Sequence, residues 1–105
     1  MRATLQNQDL SGLRLPQINL QDSVLTGIDF AGCDLTGADL SNADLFGAVF
    51  DGANSSGAKF EGSDLRGARF RDATLVGSIF RTADLRPGIL MDVGEGATNS
   101  RPAAT

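Results

Sequence analysis

The sequence predicts an all-β fold, a four-sided β-helix solenoid of about four to five coils. The first observation behind this is a period of five. The positions divisible by five, from Leu5 to Leu90, hold 18 residues, and all are Leu or Phe except Ser55. Of the 13 Leu and 6 Phe in the 105-residue chain, only Leu13 and Phe46 fall off this register. The second observation is that the neighbouring phases are sorted by size. Two residues before the centre, every residue from Cys33 to Gly88 is small (Cys, Ala, Ser or Gly), and two residues after it sit 10 of the 13 glycines. The third is an alternation of Leu and Phe that repeats most cleanly at twenty residues.

A five-residue period suits neither common element. On an α-helix the centres would drift by about 140° per step. On a straight strand they would alternate faces, because the strand period is two. All centres face one interior only if the chain turns once per unit. Glycine two residues after the centre supplies a corner with positive φ at low steric cost. The small residue two before the centre points inward on the same segment, where a larger side chain would compete for the same volume.

Four units per coil follow from the columns. A twenty-residue stack puts Leu5, Leu25, Leu45, Leu65 and Leu85 in one column, and Leu10, Phe30, Phe50, Phe70 and Leu90 in the next. The other two columns are Leu15, Leu35, Ser55 and Leu75, then Leu20, Leu40, Phe60 and Phe80. Three units per coil would interleave Phe30, Leu45, Phe60 and Leu75, and the cross-section would change from coil to coil.

The units Cys33–Gly37 (CDLTG), then ADLSN, ADLFG, AVFDG, AKFEG, SDLRG, ARFRD and ADLRP resemble those of the pentapeptide-repeat family, whose tandem units read A-(D/N)-L-x-x. The resemblance covers about residues 3–90 and implies a right-handed, quadrilateral β-helix. Family membership of this kind speaks to fold and says little about function.

Along the chain, residues 1–30 are expected to form an irregular N-terminal coil or cap within the solenoid. There Leu13, Ile18 and Ile28 occupy the small inward phase. Residues 31–90 are expected to be the regular repeat. Residues 91–105, rich in Gly, Ala, Thr and Ser, are expected to be a disordered tail. Ile89, Leu90 and Met91 close the repeat and are the expected end of an end-to-end homodimer.

Composition excludes several chemistries. One Cys allows no intrachain disulfide, and no His means no Cys/His zinc site and no histidine acid–base catalysis. No apolar run approaches 18 residues, and the start MRATLQNQDL has no apolar core of a signal peptide, so a cytoplasmic, non-enzymatic domain is expected. No cofactor, metal or nucleic acid is expected. The net charge is −4. Residues 1–65 carry nine acids and three bases, and residues 66–105 carry four acids and six arginines. Asp29, Asp34, Asp39, Asp44 and Asp64 are the candidate partner-binding surface. At a twenty-residue spacing Asp51 should meet Arg71, Glu61 should meet Arg81, and Asp39 should meet Lys59, while Phe46 stacks with Arg66 and Arg86 one coil further. Asp44, Asp64 and Asp84 then form an uncompensated column. Such a column could offer oxygens to Ca²⁺, but Asp at this phase is better explained as an acceptor for the corner backbone. Cys33 is expected to be a packing residue, and Ser55 to leave a void beside Leu35 and Leu75.

The function these features favour is a non-catalytic protein-interaction scaffold. The resemblance also implies an alternative, a DNA mimic that inhibits or protects DNA gyrase or topoisomerase IV. Charge density argues against it, since B-DNA carries roughly twelve charges over ~20 Å. A second alternative is an accessory or targeting module of an effector system.

Overall fold

The computed structural model describes residues 2–86. Ile89, Leu90 and Met91, and the 91–105 tail, lie outside the described residues. The backbone pairs with itself at a spacing of twenty in thirteen parallel bridges, from Thr4↔Val24 to Asp64↔Asp84. Between one bridge and the next the chain turns a corner, so four corners complete a coil. Each side is only a few residues long, which leaves room for one bridge per side and coil.

The pairing follows one rule. Leu25 N–H donates to Asp44 O (2.8 Å), Gly27 N–H donates to Phe46 O (2.8 Å), and Asp44 N–H donates back to Ser23 O (2.9 Å). The residue before each centre therefore turns both its N–H and its C=O toward the preceding coil. Side one holds the centres Leu5, Leu25, Leu45, Leu65 and Leu85. Side two holds Leu10, Phe30, Phe50 and Phe70; side three holds Leu15, Leu35, Ser55 and Leu75; side four holds Leu20, Leu40, Phe60 and Phe80.

Every corner is closed by an i→i+3 turn, as when Ile28 N–H donates to Leu25 O (3.1 Å). Positive φ at the second corner residue matches a type II turn. Ten glycines supply it, and Asn7, Gln17, Asp22, Asn42, Asp72 and Thr82 supply it at the remaining corners. Thr82, at φ 59°, is the costliest of these, because a β-branched side chain crowds its own backbone in the left-handed region. Thr82→Gly is expected to raise unfolding free energy by about 1 kcal/mol, read as an upward shift of the urea midpoint.

The centres and the small inward residues fill the tube. Phe30, Phe50, Phe60, Phe70, Leu25, Leu35, Leu40, Leu45, Leu65 and Leu75 are fully buried, as are Ala38, Ala48, Ala58 and Ala68. On side two Phe50 and Phe70 stack at 4.6 Å between centroids, with an interplanar angle of 2°. On side four Phe60 and Phe80 stack at 4.9 Å and 5°. The two stacks meet edge to face across the tube, Phe60 lying 5.5 Å from Phe50 and 5.8 Å from Phe70.

The first coil keeps the register of the rest, and its peculiarities lie in side chains. Leu13 is 46% exposed instead of pointing into a closed interior, because no coil precedes it among the described residues. Ile28, one coil on, is fully enclosed. The serine in the third column does not shift its coil either. Ser55 N–H donates to Thr74 O at 2.8 Å, and Asn54 bridges both Asp34 and Thr74.

Candidate interaction surface

The residue just before each centre points outward, and where it is Asp or Asn it holds the next corner. The carboxylate or amide oxygen of Asp9, Asn19, Asp29, Asp34, Asp39, Asp44, Asn54, Asp64 and Asp84 accepts the backbone N–H two residues on, at 2.9–3.2 Å. These are Asx turns, and they give most of the outward acids a structural duty. Cys33 is buried as a packing residue, its thiol donating to Leu10 O at 2.9 Å, and burial pushes that thiol up from its ordinary pKa.

The charge partners differ in detail from the stacking expectation. Asp44, Asp64 and Asp84 do form one column through successive bridges, but Asp64 and Asp84 in it are each paired with an arginine. Arg66 reaches back to Asp64 with two bonds (2.9 and 2.7 Å), and Arg86 does the same to Asp84 (3.0 and 3.0 Å). The inward Leu between Asp and Arg leaves both flanking side chains outside on one edge. The Asp-Leu-Arg triplets of the sequence carried that signal. Asp51 does stack under Arg71 but takes only its backbone N–H (3.0 Å), while its ion pair is with the guanidinium of Arg69. Glu61 and Arg81 occupy stacked corners without an ion pair among the described residues. Asp39 and Lys59 are bridge partners.

These contacts hold several carboxylates below their ordinary pKa. The side-chain hydrogen bond from Arg66, and then its backbone N–H and charge, lower Asp64 against partial desolvation. The equivalent bond from Arg86 lowers Asp84 to about 2. The hydroxyls of Ser11 and Thr36 lower Asp9 and Asp34. For Asp39, partial burial pushes upward and the bonds from Gln21 and Ser41 outweigh it. Groups depressed in the folded state favour folding above their unfolded pKa, and that contribution disappears as pH falls through the folded value. Unfolding free energy from urea titrations is therefore expected to be flat from about pH 5 to about pH 8, below the range where the unfolded Cys33 thiol would ionise. It should decline from about pH 4, near the ordinary carboxylate value of 3.8, to about pH 2, where Asp84 titrates.

One exposed corner combines apolar and cationic chemistry. Phe46, off the inward register, is 47% exposed after side one. The Arg66 guanidinium lies 5.2 Å from its ring centroid, a cation–π contact, and Arg66 is itself fixed by Asp64.

The five aspartates expected to form a partner surface do not share one. Asp44 and Asp64 lie on side one, Asp29 on side two, Asp34 on side three and Asp39 on side four. Asp29, Asp34, Asp39 and Asp44 follow one another around a single coil, so they make a belt rather than a patch. Five-residue spacing on a four-sided tube moves each repeat to the next face.

The family model for pentapeptide repeats matches in 8 copies over residues 1–37, 17–52 and 50–86. No curated protein sequence matches the chain with significance. Among solved structures, the chain is similar to a pentapeptide repeat protein (Rfr23) from the cyanobacterium Cyanothece 51142, at 31% identity and a TM-score of 0.62, over 89% of this chain and 58% of that one. It is similar to a pentapeptide repeat protein from the Arabidopsis thaliana thylakoid lumen, at 34% identity and a TM-score of 0.55, over 86% of this chain and 70% of that one. It is also similar to HetL of Nostoc sp. strain PCC 7120, a pentapeptide repeat protein involved in heterocyst differentiation regulation, at 31% identity and a TM-score of 0.55, over 82% of this chain and 43% of that one. The chain thus spans little more than half the length of the first of these and less than half of the last. The twenty-residue coil, the glycine-rich corners and the Asx-held sides are the physical form of the sequence motif these proteins share, and the chain belongs to the pentapeptide-repeat family.

Proposed function

We propose that this chain is a non-catalytic, cytoplasmic interaction scaffold, a right-handed four-sided β-helix that holds side-chain columns rigidly toward a protein partner. The observation that carries the reading is the Phe46–Arg66–Asp64 corner. Aromatic residues and arginine are enriched where protein partners bury surface, and side chains already held in place lose little entropy on binding. Phe46 contributes little to the core, so its exposure calls for another account. The test is affinity capture from lysate with wild type, Phe46→Ser and Arg66→Ala, each first verified as folded by circular dichroism. A partner held through this corner should be depleted about tenfold or more by either change. Equal capture by all three would remove the corner from the proposal.

The DNA-mimic alternative has weaker support. The acids circle the tube, hold corners, and in the later coils pair with Arg66, Arg69 and Arg86. Inhibition of gyrase supercoiling at low micromolar protein would favour it over the scaffold.

A further inference from the structure

The aspartates of side one stand one above another, and the residue two positions on differs at one of them. Side one presents Asp44 with Phe46, Asp64 with Arg66, and Asp84 with Arg86, because residues two apart on an extended segment share a face. In the two later coils the arginine folds back on its own aspartate. Its Nε and Nη2 donate at 2.9 and 2.7 Å for Arg66, and at 3.0 and 3.0 Å for Arg86. In the coil of Asp44 that station holds a phenylalanine. The Asp44 carboxylate accepts the Phe46 N–H (3.2 Å), closing its corner, and has no other hydrogen bond or ion pair among the described residues. Its bridge partner in the preceding coil is Val24, with Thr26 beside it, and neither carries charge. From the following coil, Arg66 is already held by Asp64. Described coils flank this one on both sides, so what it exposes does not depend on either end of the chain.

Phe46 supplies the second half of the arrangement. Its ring has the Arg66 guanidinium 5.2 Å from its centroid, yet the residue remains 47% exposed. Arg66 thus makes, at once, both contacts that the neighbouring station offers. It bonds an aspartate of this column through two N–H groups, and it lies over the Phe46 ring.

We propose that Asp44 and Phe46 form a recognition site for an arginine side chain of the protein partner, which takes the station that Arg66 and Arg86 fill in the later coils. The inference rests on the reading of this corner as an interaction surface, and adds the chemistry of what the corner meets. The incoming guanidinium pairs with the Asp44 carboxylate and lays its plane against the exposed part of the ring. Arginine suits this better than lysine. Its planar fork bonds a carboxylate with two parallel N–H groups while stacking on an aromatic face, whereas an ammonium is a compact, strongly hydrated charge. Arg66 repels the newcomer little, because Asp64 matches its charge at contact distance. An acidic side chain would instead face Asp44 and Asp64 together. Asp29, on side two, also takes only its corner N–H (2.9 Å), but Ala31 stands beside it and offers no ring to orient a cation.

The test is a titration of the full chain with N-acetyl-arginine N-methylamide at constant ionic strength, followed by backbone amide chemical shifts. Wild type should show saturable shifts centred on Asp44, Phe46 and Gly47, with the millimolar affinity expected of one exposed charge pair and one ring contact. Asp44→Asn keeps the corner, since Asn19 and Asn54 close theirs through the amide oxygen at 3.1 Å. It should weaken binding about fivefold or more, and Phe46→Leu should do the same without changing charge. Asp29→Asn removes an equal charge from the next face and should leave binding unchanged. N-acetyl-lysine N-methylamide should bind about threefold more weakly, or worse. Shifts that do not saturate, shifts that survive Asp44→Asn, or equal binding of the lysine compound would overturn the proposal. The two readings of the corner fail separately. A lysate partner lost with Phe46→Ser but retained by Asp44→Asn would remove the arginine and leave the corner, whereas equal capture by every variant would remove both.

Discussion

Phe60→Ala is expected to cost about 3–5 kcal/mol of unfolding free energy, among the largest losses from a single truncation in this chain. Phe60 is fully buried and touches three other rings, stacking on Phe80 and meeting Phe50 and Phe70 edge to face. Its removal takes away the transfer free energy of the ring and leaves a hole bounded by hydrogen-bonded backbone on four sides. The coils above and below are held at strand spacing by their own bonds, so the hole cannot close by collapse. Phe60→Leu should cost far less, under about 1.5 kcal/mol, because side four already accepts Leu20 and Leu40 in the same column. Phe46→Ala, an exposed phenylalanine off the register, should change stability by less than about 1 kcal/mol. Urea titration of the three variants checks the ordering. A Phe60→Ala loss near that of Phe46→Ala would mean that side four does not pack as described.

Repeat proteins make such effects local in origin and global in consequence. Each coil rests only on its neighbours, so a defect in the middle separates two short stacks that are each too small to persist. Every bridge joins residues twenty apart, and the remaining bonds close single corners, which leaves nothing to bypass a damaged coil.

Much of this was legible beforehand because the fold repeats a single decision. Leu and Phe at every fifth position, glycine two later and alanine two before leave one way to bury the centres, and the homogeneous columns select four sides. The stacking of Phe50 on Phe70 and the contact of Phe46 with Arg66 follow from the twenty-residue spacing alone. Choices that depend on side-chain reach were less legible. Asp51 has Arg71 directly above it, yet pairs with Arg69, because Arg71 spans the distance with its backbone and Arg69 has a free guanidinium on the adjoining edge. Gln17 and Thr82 adopt positive φ although neither residue type prefers it, because tertiary pairing on both flanks imposes the corner. The five aspartates read as one surface were dispersed by the geometry that the repeat itself implies. Sequence proximity and facial proximity part company when every unit turns a corner.

Ser55 is where the repeat departs from its own rule, and the departure yields the second large prediction. Ser55→Leu is expected to stabilise the chain by about 2 kcal/mol. The hydroxyl is fully buried, and no group among the described residues bonds it. Serines at the small inward phase avoid this, since Ser63 and Ser78 follow a corner and donate back to Phe60 O and Leu75 O at 2.7 Å. A centre has no carbonyl within such reach, because its side chain projects into the middle of the tube. Leucine would remove the orphaned donor and restore the volume that Leu35 and Leu75 occupy in the adjacent coils. The regular bonds of Asn54 and Ser55 to their neighbours show that the backbone of this coil keeps the register of the coils on either side. Ser55→Ala separates the two contributions: it relieves the polar penalty without filling the space, and should gain about 1 kcal/mol. If the surrounding side chains have instead closed over the serine, Ser55→Leu would destabilise by overpacking while Ser55→Ala still stabilised. That opposite ordering in thermal melts would show that the interior adjusts its shape to the defect instead of holding it open.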